Sequence, residues 1–210
     1  MTEIKICGLM SAEDARLLNE LGADYGGVVM FFPKSHRSVE PNTAREIVDT
    51  LDFGIKSVAV VVSPTIEQLR IIENCGFDMI QIHGDMTDEV YNSARLPILK
   101  AFNVNDIDKL AKLTKLDKII GFVFDAAQPG SGKTFDWSTL KELPRGKKLT
   151  ILAGGLTPEN VADAIAYLNP DAVDVSSGVE NDTKTGKDRY KAKNFAAAVR
   201  AADNKASGKE

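Results

Sequence analysis

The sequence is poor in cysteine and has no long apolar segment. Its two cysteines, Cys7 and Cys75, cannot build a disulfide framework, and no CxxC pair or Cys/His cluster has the spacing of a zinc site. No run approaches the roughly eighteen apolar residues of a membrane-spanning helix. The first ten residues, MTEIKICGLM, also lack the basic region, apolar run and small-residue cleavage site of a signal peptide. We therefore expect a cytoplasmic protein with no metal and no membrane partner.

The chain also lacks an excess of positive charge. Lys and Arg number 26 against 30 Asp and Glu, which gives a net charge of −4. This balance argues against nucleic-acid binding through a broad basic face, although a local anion site stays possible. With 210 residues, 43% apolar and 27% charged, the composition is that of a globular protein. One well-cored domain that binds a small molecule is the expectation.

Apolar runs rich in Val, Ile and Phe recur at intervals of roughly 25 residues, each followed by a polar break and a longer segment with helical apolar spacing. The predicted strands are Glu3–Gly8, Tyr25–Phe32, Lys56–Val62, Met79–Gly84, Pro97–Asn103, Lys118–Asp125, Leu149–Gly155 and Ala172–Gly178. Ser11, Thr65 and Thr157–Pro158 predict helix starts, and Gly22 and Gly76 predict helix ends. Eight strand–helix units predict an α/β fold, a single (βα)8 TIM barrel over residues 1–205, with a disordered tail over 206–210. A doubly wound open sheet is the alternative.

Two turns of this predicted barrel have the chemistry of a phosphate site. The segment AGGLTPENV, Ala153–Val161, leaves the seventh strand through two glycines, Gly154 and Gly155, and leads into a helix. Exposed backbone N–H groups and the positive end of a helix bind phosphate together. Ser176–Gly178 forms a second such turn after the eighth strand, and the loops after these two strands are the usual phosphate site of the barrel. The alternative is that the glycines only end a strand.

Polar residues that close the apolar runs are the candidate site, because TIM-barrel active sites lie at the carboxyl ends of the strands. Cys7 ends the first strand, where it is either a buried filler or a base. Asp125 ends the sixth and is a functional carboxylate or a loop anchor. Asp174 lies within the eighth strand, where it can pair with Lys5 on the side of the first strand that also carries Cys7. His83 either lines the pocket or satisfies a loop carbonyl.

One segment resembles a nucleotide-binding loop. Residues 127–134 nearly complete the pattern G-x-x-x-x-G-K-[ST], but the first glycine is Ala127. The lysine of such a loop enters a helix directly, whereas Phe135, Asp136 and Trp137 follow here, with Asp136 suited to cap the helix. We therefore interpret the segment as a lid over the barrel mouth, with nucleotide binding as the alternative.

Six ordered motifs together resemble one enzyme family. They are KICGL at 5–9, KSHR at 34–37, QIHG at 81–84, FDAAQPGSGKTFDW at 124–137, AGGLTPENV at 153–161, and DVSSGVE at 174–180 followed by GKD at 186–188. The resemblance is to phosphoribosylanthranilate isomerase of tryptophan biosynthesis, from Lys5 to about Phe195. It implies a cofactor-free enzyme that converts N-(5-phosphoribosyl)anthranilate into 1-(2-carboxyphenylamino)-1-deoxyribulose 5-phosphate, as a monomer or homodimer with a phosphorylated small-molecule substrate as its partner.

The resemblance also implies roles for individual residues. Asp125 is the general acid and Cys7 the general base of an Amadori rearrangement, and Arg37 pairs with the anthranilate carboxylate. The remaining substrate-binding positions are His83, Asp174, Gly154, Gly155, Ser177 and Gly178. The stretch between Gly27 and Arg37 is one residue longer than is usual in the family, which makes the placing of Arg37 the point to check.

Two other functions compete with this one. A different sugar-phosphate barrel enzyme would share the phosphate loops, but an epimerase needs a metal or a second carboxylate pair, and indoleglycerol-phosphate synthase needs an inward lysine and glutamate set. A non-catalytic barrel that binds a phosphorylated metabolite is the rival from another class. The presence of Cys7 and Asp125 favours an enzyme over that sensor.

Overall fold

The computed structural model describes residues 1–103, 110–125, 147–206 and 208 of the chain. Its strands are β1 (Glu3–Cys7), β2 (Tyr25–Met30), β3 (Ser38–Val39), β4 (Lys56–Val62), β5 (Met79–His83), β6 (Ile98–Asn103), β7 (Ile119–Asp125), β8 (Leu149–Leu152) and β9 (Ala172–Val175). Its helices are α1 (Ala12–Leu21), α2 (Pro41–Thr50), α3 (Ile66–Asn74), α4 (Asp88–Ser93), α5 (Leu110–Leu113), α6 (Val161–Leu168) and α7 (Arg189–Ala206), with a 3-10 turn over Ser177–Val179.

Eight of the strands form a closed parallel barrel. The hydrogen-bonded order runs β1, β9, β8, β7, β6, β5, β4, β2, and β1 pairs with β2 as well as with β9. This closure confirms the predicted (βα)8 barrel and rules out the open sheet. The sequence did not indicate β3, a two-residue strand that pairs with the end of β2. Counting without it, β8 and β9 are the seventh and eighth strands of the barrel.

The core has two parts that the alternation of strand side chains separates. The larger part packs the outer faces of the strands against the helices and includes Phe122, Ile4 and Phe195. The smaller part fills the barrel interior with the inward residues of the strands, among them Val123 and Ile151. Because the interior is packed below the strand ends, a ligand at the catalytic end of a TIM barrel lies above this packing, at the carboxyl ends. Cys75 is buried at the end of α3, as a packing residue would be.

Most predicted helix ends are confirmed. The Ser11 hydroxyl accepts from the backbone N–H of Asp14 at the start of α1, and Thr65 forms a capping box at the start of α3. Gly22 ends α1 in the left-handed conformation, and Gly76 with φ 86° follows α3. These positions were readable because a cap depends on neighbouring residues alone.

The predicted helix start at Thr157–Pro158 is wrong, since α6 begins at Val161. The Asn160 side chain explains the delay. Its Oδ1 accepts from the N–H of Thr157 at 2.8 Å, and its Nδ2 donates to the carbonyl of Gly155 at 2.9 Å. These two bonds fold the segment into a turn that precedes the helix.

Two predictions concern segments that the structure describes only in part or not at all. The proposed lid and the nucleotide-loop pattern at 127–134 lie outside the described residues. Of the tail predicted over 206–210, Ala206 is the last residue of α7, Gly208 is described as a turn, and the others lie outside the described residues.

Candidate active site

A cavity of about 710 Å³ opens at the carboxyl ends of the barrel strands. This volume is in the range of small-molecule sites. Its lining includes almost all of the predicted site residues: Cys7, Arg37, His83, Asp125, Gly154, Gly155, Asp174 and Ser177. Gly178 follows directly in the same turn. The structure thus brings together residues that are up to 170 positions apart in the chain.

Cys7 lies at the floor of this cavity beside a buried ion pair. Lys5 Nζ donates to Asp174 Oδ2 at 3.0 Å, which confirms the predicted pairing between β1 and β9. Burial alone would lower the pKa of Lys5, but the Asp174 carboxylate and the Cys7 thiol raise it above its ordinary value. Burial raises the pKa of the Cys7 thiol, and the ammonium groups of Lys5 and Lys187 act in the opposite direction. The effect of burial prevails, so the thiol is protonated in the free protein.

Gly27 on β2 makes room for this arrangement. A Cβ at this position would lie 2.9 Å from Cys7 Sγ and 3.0 Å from Lys5 Nζ, closer than side chains pack. The absence of a side chain at residue 27 therefore allows the thiol and the ammonium group to lie side by side on β1.

Gln81 and His83 face the cavity from β5. Their side chains lie on the same side of the strand because they are two residues apart. Gln81 Nε2 is 2.8 Å from His83 Nε2. Burial lowers the pKa of His83 to about 4, with the charges of Lys100 and Lys5 acting in the same direction. The imidazole is therefore neutral at physiological pH.

Arg37 reaches the cavity despite the longer segment that precedes it. Its Nε donates to Glu180 Oε1 at 2.5 Å and its Nη2 to Glu180 Oε2 at 2.8 Å. Glu180 also lies 3.1 Å from His36 Nε2. Burial alone would raise the pKa of Glu180, but Arg37 and Lys187 hold it below its ordinary value. A guanidinium has five N–H donors, so this paired contact leaves the edge formed by Nη1 and Nη2 for an anion in the cavity.

Asp125 ends β7 on the cavity wall, where its side chain is partly buried. β1 and β7 are separated by β9 and β8 in the barrel. Asp125 and Cys7 consequently face the cavity from two different sides. A ligand between them can meet a carboxyl group on one side and a thiol on the other.

The loops after β8 and β9 are those in which the sequence predicts an anion site. Gly154 and Gly155 have φ values of 89° and 67°, and no described residue accepts a hydrogen bond from their N–H groups. In the neighbouring 3-10 turn, Val179 and Glu180 donate the first internal hydrogen bonds. The N–H groups of Ser177 and Gly178 precede these donors in the chain and take no part in the internal bonds of the turn. A Cβ on Gly178 would overlap the carbonyl oxygen of Leu156, so the absence of a side chain at residue 178 lets the two loops approach each other closely. Both loops thus border the cavity, through Gly154, Gly155 and Ser177, and have backbone N–H groups of the kind that bind anions.

Comparisons with known proteins place this chain in a family. A profile of the N-(5'-phosphoribosyl)anthranilate (PRA) isomerase family matches residues 4–198. The chain is 40% identical over 208 residues to the N-(5'-phosphoribosyl)anthranilate isomerase of Moorella thermoacetica, covering 97% of this chain and 92% of that protein. The chain belongs to the phosphoribosylanthranilate isomerase family.

Solved structures of phosphoribosylanthranilate isomerases agree with this placement. The Thermotoga maritima protein superposes with a TM-score of 0.84 at 35% identity, covering 96% of this chain and all of that one. Another structure holds reduced 1-(o-carboxyphenylamino)-1-deoxyribulose 5-phosphate, and superposes with a TM-score of 0.82 at 32% identity over 96% of this chain and 100% of that chain. The Thermotoga maritima isomerase is also described as dimeric, in a structure with a TM-score of 0.83 at 33% identity that covers 96% of this chain and 100% of that one.

Sequence reasoning missed three polar residues of the site. Glu180 and Lys187 lie in the motifs DVSSGVE and GKD, but nothing in those motifs shows that Glu180 pairs with Arg37 or that the charge of Lys187 acts on Cys7. Gln81 could have been found, because strand alternation places it on the same face as His83.

The described residues lack two kinds of feature. They contain no group of three or more His, Cys, Asp or Glu side chains that could hold a metal ion. Among their helices, none combines the length and the apolar character needed to cross a membrane.

Proposed function

We propose that this chain catalyses the Amadori rearrangement of N-(5-phosphoribosyl)anthranilate to 1-(2-carboxyphenylamino)-1-deoxyribulose 5-phosphate, a step of tryptophan biosynthesis. The observation that carries the proposal is the convergence of the thiol, the carboxyl group, the guanidinium and the two glycine loops on one cavity of a chain that belongs to this family. Mixing the protein with freshly made substrate and following the change in anthranilate fluorescence tests it directly. Failure of the protein to accelerate that change would favour the binding-protein alternative.

The two ends of the substrate fix its direction in the cavity. The phosphate binds the backbone N–H groups of Gly154, Gly155, Ser177 and Gly178, where no lysine is needed because several aligned dipoles share the charge. The anthranilate carboxylate pairs with Arg37 through the guanidinium edge that Glu180 leaves open. Both anionic groups are then held, and the ribosyl group between them lies against Cys7, Asp125 and Asp174.

Asp125 acts first, as the general acid. It gives its proton to the ring oxygen of the ribosyl group, the bond from that oxygen to C1 breaks, and the anilino nitrogen lone pair forms the C1=N bond of an iminium ion. The product of this step is cationic and open-chain. The carboxylate left on Asp125 faces that cation.

Cys7 acts second, as the general base. Once the iminium ion lies beside it, the thiol loses its own proton to water in the cavity, and the resulting thiolate takes the proton from C2. The electron pair of the C–H bond then forms C1=C2, and the C=N electrons return to nitrogen. The resulting enolamine becomes the ketone when the C2 hydroxyl loses its proton and C1 gains one. The sequence of steps is a net isomerisation and consumes no cofactor.

The cytoplasm is the proposed location, because a reducing compartment keeps Cys7 as a thiol. As the Thermotoga maritima relative is dimeric, a homodimer is one proposed state and a monomer the other. Light scattering after size-exclusion chromatography distinguishes them.

A further inference from the structure

Two acceptor atoms in the cavity wall have no partner among the described residues. Gln81 Oε1 and Asp174 Oδ1 are buried and accept no hydrogen bond within the part of the chain that the structure describes. Gln81 is 2% exposed and Asp174 7%. Leaving a buried acceptor unpaired is costly, so buried oxygen atoms in native proteins almost always have a donor. Both side chains line the cavity, and a ligand in the cavity can supply the donors.

The contact with His83 occupies one end of the Gln81 amide. The neutral imidazole has one nitrogen that donates and one that accepts. The Gln81 amide nitrogen lies 2.8 Å from His83 Nε2. In this amide orientation Nε2 accepts, and we infer that the ring proton resides on Nδ1. The carbonyl oxygen of Gln81 is consequently the free end of the amide.

The two acceptors face each other across the barrel. Gln81 lies on β5 and Asp174 on β9, and three strands separate β5 from β9 in either direction around the closed sheet. A ligand in the middle of the cavity therefore meets an acceptor on opposite sides. Neither acceptor attracts the phosphate or the carboxylate of the substrate, since these carry no donor at neutral pH. Hydroxyl and N–H groups do, and the ribosyl-amino portion of the substrate contains both.

We propose that Gln81 is a substrate-binding residue that selects the ribosyl-amino portion, accepting a hydrogen bond from a hydroxyl or N–H donor through Oε1 while its amide nitrogen orients His83. This assignment rests on the proposed function for the identity of the ligand. Asp174 Oδ1 accepts from a second donor on the opposite side. Together the two residues favour a substrate whose central portion is rich in donors.

Affinity for reduced 1-(o-carboxyphenylamino)-1-deoxyribulose 5-phosphate tests the binding role. Gln81→Met keeps the length of the side chain and removes the amide, and we expect binding to weaken about three- to tenfold, as for loss of one neutral hydrogen bond. Met79→Leu is the matched control, because Met79 faces the interior from the same strand below the cavity. It should bind as the wild type does. Equal affinity in Gln81→Met and wild type would overturn the proposal.

Two ligand analogues identify the donor. One replaces the anilino N–H by an ether oxygen, and the other lacks the C2 hydroxyl. The analogue without the donor that contacts Gln81 should lose affinity in wild type and lose almost none in Gln81→Met. The other analogue should lose affinity equally in both proteins. Losses that are equal in both proteins for both analogues would refute a contact with the anilino N–H or the C2 hydroxyl, and analogues that lack the C3 or C4 hydroxyl then have to show the selective loss or overturn the proposal.

The state of His83 tests the amide orientation without any substrate. The chain has two histidines, His36 and His83, so their ring ¹⁵N signals can be assigned with a His36→Asn variant. At pH 7 we expect His83 to carry its proton on Nδ1. A proton on Nε2 would mean that the imidazole donates to Gln81, which would overturn the proposal even if Gln81→Met fails to fold. If wild type neither turns over substrate nor binds the ligand, the proposed function fails, while the imidazole measurement still decides the orientation of Gln81.

Discussion

The ion pair between Lys5 and Asp174 gives the sharpest stability prediction. Lys5 is fully buried and Asp174 is 7% exposed. Removing one partner leaves the other charge without compensation, which typically costs about 3 to 5 kcal/mol. We expect the lower end for Lys5→Met, because Asp174 borders the cavity and water can reach it. A loss of about 3 kcal/mol corresponds to a fall in Tm of roughly 6 to 12 °C for a chain of this length.

Urea unfolding at pH 7, followed by far-ultraviolet circular dichroism, measures this loss. At that pH the contribution of Lys5 is complete, since a raised folded-state pKa means that stability is lost only as pH rises toward and through that pKa. Asp174→Leu should also destabilise the fold, and the double variant Lys5→Met/Asp174→Leu should lose at least about 2 kcal/mol less than the sum of the two.

The control for this prediction is a surface pair. Lys56 and Asp78 lie 3.8 Å apart, with side chains 48% and 42% exposed. Lys56→Met should therefore change the free energy of unfolding by less than about 0.5 kcal/mol. A loss below about 1 kcal/mol for Lys5→Met, or strict additivity in the double variant, would show that the buried pair does not behave as a coupled unit.

Three further predictions address the site. Cys7→Ser and Asp125→Asn should each lower kcat by about two decades or more, while circular dichroism should show that the fold is retained. Near-normal rates in both variants would contradict the acid and base roles. Arg37→Lys should weaken substrate binding by roughly 1 to 3 kcal/mol and leave the binding of an analogue without the carboxylate unchanged. Glu180→Gln should also weaken substrate binding more than binding of that analogue, but by a smaller amount. Equal losses for both ligands would count against the carboxylate contact. Because the pKa of His83 is lowered to about 4, the unfolded state binds more protons than the folded state between pH 4 and 6.5. The free energy of unfolding should therefore fall by roughly 3 kcal/mol as the pH drops through this window. In urea unfolding of His83→Asn, this part of the pH dependence should be missing.

The barrel could be predicted because its strands are buried on both faces. Such strands appear as continuous apolar runs, and the segment Lys56–Val62 was predicted with both ends correct. The predicted strands ending at Gly155 and Gly178 are each three residues too long. In both cases small residues such as glycine or serine continue the predicted strand segment, whereas the observed strands end at Leu152 and Val175. Strand ends depend on the partner strand, which the local sequence does not contain.

The site could be predicted only as far as strand position determines it. Cys7 and Asp125 were found because each closes an apolar run. The partner of Arg37 could not be found in this way, since Glu180 is 143 positions away and turns toward Arg37 only when the loop after β9 packs beside the loop after β2. Contacts between loops depend on the closed barrel, so the sequence pattern indicates them only after the fold is known.

The surroundings of Cys7 fit the order of the two proton transfers in the proposed mechanism. A thiol whose pKa is raised by burial is a poor base in the free protein, and this protects it from losing its proton before substrate arrives. Lys5 and Lys187 favour the thiolate but do not outweigh burial. The iminium ion formed by the action of Asp125 adds a further positive charge near the sulfur, in a cavity where charges interact more strongly than in water. The acid step thus generates the condition that the base step requires, and a C2 proton is removed only from a substrate whose ring has already opened.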